Sequence, residues 1–153
     1  MMTSTIGRAI GAAALALTLL PSPARAQAPV PQPCVDGVLQ NGGALSRLCV
    51  PIGWNGQPVV FAHGYVANGL PLGFYHLTLA DGTSLSDLVQ GLGFAFATTS
   101  YRKNGLAILE GVQDIQQLVA AFEDTYSTPL RTYVAGVSEG GLVLGAFLLA
   151  AQP

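Results

Sequence analysis

Three short runs of this chain are apolar on both faces, and longer stretches of helical spacing separate them. The runs are Val59 to Ala62, Phe94 to Thr98 and Thr132 to Ala135. Strands covered on both sides, as central parallel strands are, read in this unalternated way. Leu85, Leu88, Val89 and Leu92 recur at helical spacing, with Ser84 and Asp87 in capping-box spacing before them and Gly93 closing the segment. Ile108, Val112, Ile115, Val119, Phe122 and Tyr126 then step by alternating four and three, with a polar side at Glu110, Gln113, Asp114 and Gln117. Thr128-Pro129 ends that helix, and a third helix-prone segment follows residue 138. The alternation predicts an α/β fold, a mostly parallel sheet with flanking helices.

The first residues read as an export signal. Arg8 supplies a positive charge, Ile10 to Leu20 is an apolar run too short to span a membrane, and Ala24-Arg25-Ala26 fits a small-x-small cleavage site. Residues 1–26 are thus expected to be a signal peptide. A tethering helix is the alternative, opposed by Pro21 and Pro23. The mature protein would be periplasmic or secreted, without a stable membrane anchor, and residues 27–153 would form one domain. Ala28 to Pro33, with three prolines, reads as a loose leader.

Charge narrows the choice of partner. The 153 residues carry a net charge of −2, and loss of Arg8 and Arg25 leaves four basic against eight acidic side chains, or −4. With no basic run and an acidic balance, nucleic acid is excluded as a partner. Only 9% of the residues are charged and 50% are hydrophobic, so a large fraction of the chain is available for a core.

Cys34 and Cys49 are the only cysteines, and in an exported chain a disulfide is the default. A hairpin centred on Asn41-Gly42, a favoured two-residue turn, makes every facing pair sum to 83. Cys34 then faces Cys49, Asp36 faces Arg47 and Val38 faces Leu45. Gly43 offers a turn shifted by one, so the register stays open at this point.

The chemistry concentrates in Gly136-Val137-Ser138-Glu139-Gly140, between the last apolar run and the last helix. A serine on so tight a strand-to-helix turn is held in a strained backbone conformation, and the positions two residues either side must lack bulk. Gly136 and Gly140 meet that need. The turn lifts the hydroxyl clear of the sheet and sets the Glu139 N–H at the positive end of a helix, where an oxyanion can be held. A nucleotide-binding turn is the alternative, but the third glycine of G-x-G-x-x-G has no counterpart. His63-Gly64-Tyr65 ends the first apolar run. Ser100 to Gly105 follows the second, so Tyr101 and Arg102 are candidates to line a pocket, or else belong to a solvated loop. His76 sits in a loop expected near the mouth and receives no catalytic role.

Strand-His63-Gly64, helix, strand-Ser100-Tyr101-Arg102, helix, strand-Gly136-x-Ser138-x-Gly140-Gly141 resembles the front half of an α/β-hydrolase. It is similar to exported esterase-like and prolyl-oligopeptidase-like members, over roughly Val50 to Ala151. The resemblance implies Ser138 as nucleophile and the Tyr65 and Glu139 backbone N–H groups as oxyanion donors. It makes His63 a structural, hydrogen-bonded residue and implies neither a cofactor nor a metal. The substrate would be a small-molecule ester, or less readily a peptide. The family's acid and histidine follow the serine along the chain, yet residues 139–153 contain no Asp and no His. The chain therefore reads as the N-terminal part of such a domain, lacking the C-terminal strands. The strand bearing Ser138 would then be a sheet edge open to a complementing chain or to self-association. Two rivals stay in play: an exported, non-catalytic binding module of the same fold, and a subtilisin-like order Asp36, His63, Ser138.

Overall fold

The apolar runs form the middle of a five-stranded sheet whose strands follow the spatial order β1-β2-β4-β3-β5. The structure, a computed structural model, describes residues 27–40 and 42–150. The signal-peptide reading of residues 1–26 and the Asn41 half of the expected turn lie outside the described residues. The strands are β1 (Val35–Val38), β2 (Leu45–Cys49), β3 (Pro58–Ala62), β4 (Ala95–Thr99) and β5 (Tyr133–Gly136). The helices are α1 (Leu85–Gly91), α2 (Ile108–Thr125) and α3 (Glu139–Ala150).

The α/β class holds, and the sheet is mixed. β3 pairs in parallel with both β4 and β5, whereas β1–β2 and β2–β4 are antiparallel. A hairpin forces antiparallel pairing within itself, and β2 carries that reversal onto β4. The hairpin register is the one that sums to 83. Asp36 faces Arg47, Val38 faces Leu45, and the Leu39 N–H donates to the Ala44 carbonyl at 2.8 Å. Cys34 and Cys49 are joined, closing a loop of sequence separation 15. A closure of that length stabilises the fold by ~3 kcal/mol in the chain-entropy picture.

Period-two alternation sorts the central strands into two cores. Val60, Ala62, Ala95 and Ala97 face α2 and α3 together with Ile115, Leu118, Phe122 and Val143. Phe61 and Phe96 face the other side, with Val89 of α1 and Cys49. The short alanines leave space for two helices on one face, and α2 and α3 pack against each other there. Trp54 meets Phe122 edge to face at 5.6 Å, so the loop before β3 closes one end of that core.

Two expectations fail through buried polar groups. Asp114, placed on the polar side of α2, is wholly buried because Arg102 reaches it from the loop after β4. The leader is not loose. Val30 and Ile52 exchange backbone hydrogen bonds at 3.0 Å, and Gln32 is gripped through its backbone by the buried Gln90 side chain of α1. At the far side β5 is an edge strand, and Leu142 and Leu149 of α3 stand 63% and 71% exposed. Val143 of α3 is buried under α2.

Candidate active site

β3 and β5 lie side by side, but their outgoing connections diverge: β3 leads to α1 on one face and β5 leads to α3 on the other. A crevice opens beyond the carboxyl ends of such strands, and ligands settle there in open α/β sheets. The two turns bordering it are His63-Gly64-Tyr65 after β3 and Val137-Ser138-Glu139 after β5.

Ser138 is exposed and has a φ of 53°. A serine pays a steric cost in that left-handed region, so the surrounding packing must impose it. The imposing contacts are visible at the flanking glycines. A β-carbon on Gly140 would lie 2.0 Å from the Ala62 carbonyl oxygen and 2.7 Å from that of His63. One on Gly136 would lie 2.7 Å from the Gly140 backbone and 2.9 Å from Leu144. α3 therefore starts pressed against the end of β3, and only glycine fits at either crossing. The Val137 N–H donates to the Ala62 carbonyl at 3.2 Å, and the Gly141 N–H to the Ser138 carbonyl at 3.0 Å, pinning the turn on both sides.

Gly64 completes the approach from β3. A β-carbon there would lie 3.3 Å from Ser138 Cβ and 3.2 Å from the Val137 carbonyl oxygen. The Tyr65 N–H is one peptide bond from this contact, and the Glu139 N–H is the first of α3. Neither N–H donates to a described residue. Two main-chain donors thus border the serine with their hydrogen-bonding capacity open.

The other side chains are committed elsewhere. Glu139 is buried, and its Oε1 accepts the Ala107 N–H at 2.6 Å, so its carboxylate caps the start of α2 rather than facing the crevice. The Nδ1–H of His63 donates to the Gly64 carbonyl at 2.6 Å. Its Nε2 is buried with no partner among the described residues. Tyr101 was a pocket candidate; instead it is only 2% exposed, its ring tilted against that of His63 at 4.1 Å, with its hydroxyl donating to the His63 carbonyl at 3.2 Å. Burial first, then the negative charges of Glu139 and Asp114, push its phenol well above the ordinary tyrosine range. Arg102, the other pocket candidate, binds Asp114 through Nε at 2.8 Å and through its own backbone N–H at 2.7 Å. The guanidinium is held along α2 and away from an incoming ligand, and its pairing raises its pKa further.

His76, expected only in a loop near the mouth, comes close to the serine turn itself. Its Cε1 lies 3.7 Å from the position of a Gly64 β-carbon, so imidazole and serine both lie close to the same point. It has a φ of 59°, a second strained non-glycine residue at this crevice. The sequence offered no periodic or motif signal for this closeness, because it depends on how the long connection between β3 and α1 folds back.

Asp36 is ion-paired with Arg47 at 2.7 Å on β1, the sheet edge opposite β5, so no Asp36–His63–Ser138 relay is assembled. That pairing holds the Asp36 carboxyl below its ordinary range. Among the described residues no group of three His, Cys, Asp or Glu side chains is placed to hold a metal ion. A cavity of about 370 Å³ lies between the β1–β2 hairpin and the second half of α2, and neither Ser138 nor either histidine lines it. Set against protein-family models and against curated proteins, the chain matches none.

Proposed function

We propose that this chain carries the nucleophile half of a serine hydrolase site and acts on ester carbonyls, less readily on peptides. One observation carries the reading: Ser138 stands exposed in a strained turn with the open N–H groups of Tyr65 and Glu139 on its flanks. In that arrangement Ser138 Oγ attacks the carbonyl carbon, and the carbonyl oxygen takes up negative charge between the two donors. Collapse of the tetrahedral species breaks the bond to the alcohol, which leaves with a proton. Water then releases the acid from the acyl-serine. The strand order β1-β2-β4-β3-β5, reversed only at β2, supports the α/β-hydrolase resemblance, as does the His63-Gly64 turn facing the serine.

The proton of Ser138 needs an acceptor, and residues 139–153 hold neither His nor Asp. Among the described residues no side chain, His76 included, is hydrogen-bonded to Ser138 Oγ as a base, so hydrolysis by these residues alone is weak, an oxyanion site without its base retaining only part of the rate enhancement. The same lack favours the second reading, an exported module that keeps the fold without the chemistry. The exposed β5 edge and the Leu142 and Leu149 side chains are the surface on which a further segment or chain would complete the site.

Turnover of 4-nitrophenyl butyrate separates the readings. A slow, Ser138-dependent release of nitrophenol that rises in any longer product of the same coding region supports the hydrolase. Equal rates for the parent and Ser138→Ala in both products would establish the non-catalytic module.

A further inference from the structure

The loop from His63 to Ala80, which rises from the nucleophile crevice, contains no Asp, Glu, Lys or Arg. Its large exposed apolar side chains are Tyr65, Leu70, Leu72 and Leu79, alongside the exposed neutral Asn68 and Thr78, with His76 beside the serine. The nearest cations are all occupied. Arg47 is bound to Asp36, Arg102 to Asp114 and Lys103 to Glu110. Arg131 precedes β5, at the end of the strand opposite Ser138, a separation of roughly 20 Å for a near-extended chain. A carboxylate brought against this loop would lose water and find no free cationic side chain to pair with.

The loop is also held in place before any ligand arrives. Asn104 Nδ2 donates to the Leu70 carbonyl at 2.7 Å, and the Gly105 N–H to the Val66 carbonyl at 2.8 Å. The Tyr75 hydroxyl donates to the Pro71 carbonyl at 2.8 Å, and the Arg47 guanidinium lies 4.3 Å above the Phe74 ring. The Leu85 N–H donates to the Leu77 carbonyl at 2.9 Å, tying the far end to α1. A pinned rim without a charged Asp, Glu, Lys or Arg side chain, its large exposed groups mostly apolar, is suited to bind by shape and burial rather than by ion pairing.

We infer that residues 65–77 form a preformed subsite for uncharged, apolar esters, with the His76 side chain as its polar contact beside Ser138. The inference rests on the hydrolase reading for the word ester, but its physical content is discrimination by charge. Aryl ketones are stable stand-ins for aryl esters, so the probes are butyrophenone and its anionic counterpart 4-butyrylbenzoate. Each is titrated into the full chain while the backbone amide resonances are followed. The expected result is at least tenfold tighter binding of the neutral ketone, with shifts centred on Gly64, Tyr65 and His76. His76→Arg should raise the affinity for the benzoate at least fivefold relative to the ketone. Leu72→Lys, at an exposed position, gives the same direction if the first variant fails to fold. Equal or tighter binding of the anion, shifts confined to other residues, or no binding of either at about millimolar concentration would overturn the subsite. These readouts need no acyl transfer, so loss of Ser138 reactivity defeats the hydrolase reading alone.

Discussion

Gly140 touches the end of β3 so closely that a β-carbon on it would lie 2.0 Å from the Ala62 carbonyl oxygen. Gly64 is far less crowded, its closest such contact being 3.2 Å. The two glycines therefore serve different ends, one the fold and the other the approach to the serine. Gly140→Ala is expected to cost about 3 kcal/mol or more in denaturant unfolding, because backbone cannot yield as a side chain can. Gly64→Ala should cost about 1 kcal/mol. Its larger effect should be on the reactivity of Ser138, lowered roughly tenfold or more by a displacement of the serine turn. Similar stability losses for both variants would contradict this division.

Glu139 acts through the fold. Its carboxylate caps the N-terminus of α2 at Ala107, thirty-two residues away. Glu139→Ala should lower stability by about 1 kcal/mol, the ordinary size of a lost cap. Glu139→Gln keeps an acceptor oxygen and should lose roughly half as much. Thermal unfolding of the two variants is the check; a null effect for the alanine would remove the capping role.

Arg102 and Asp114 form a pair in which only the acid is deeply buried. Arg102→Ala leaves that carboxylate with the Arg102 backbone N–H and no guanidinium, at an expected cost of about 3 kcal/mol. Arg102→Lys should recover only part of this, since an ammonium cannot reproduce the forked contact. Full recovery by lysine, read from the denaturant midpoint, would argue against the geometry.

These partners show why the sequence was legible in some places and silent in others. The hairpin register, the ends of β3, β4 and β5, the periodicity of α2 and the crossover at Ser138 are all written in residues close along the chain. The burial of Asp114 and Gln90 is not, because each is satisfied by a group from another element, Gln32 lying fifty-eight residues from Gln90. The leader's docking follows from the same contact. Likewise only the position of α2 reveals where the Glu139 carboxylate points. The mixed pairing of the sheet was half visible: the hairpin was readable, its attachment to β4 through β2 was not.

Tyr101 gives the fold an alkaline limit. Its phenol is raised in the folded state, chiefly by burial, above the value of 10.0 that an exposed tyrosine shows. Above that pH the unfolded chain releases the proton while the folded chain retains it. The folded state then binds more protons, so stability falls as pH rises from near 10 toward the folded value. Tyr101→Phe should unfold with a flatter dependence on pH in this range. An identical alkaline slope for parent and variant would show that another group sets the limit.

The central claim concerns one hydroxyl, and covalent capture reads it most directly. The chain is exposed to a fluorophosphonate and the adduct is located by peptide mass mapping. Slow addition at Ser138, absent from Ser138→Ala and faster in any longer product of the coding region, is the predicted result. An adduct on any other residue, or none in a folded product of either length, would contradict the account.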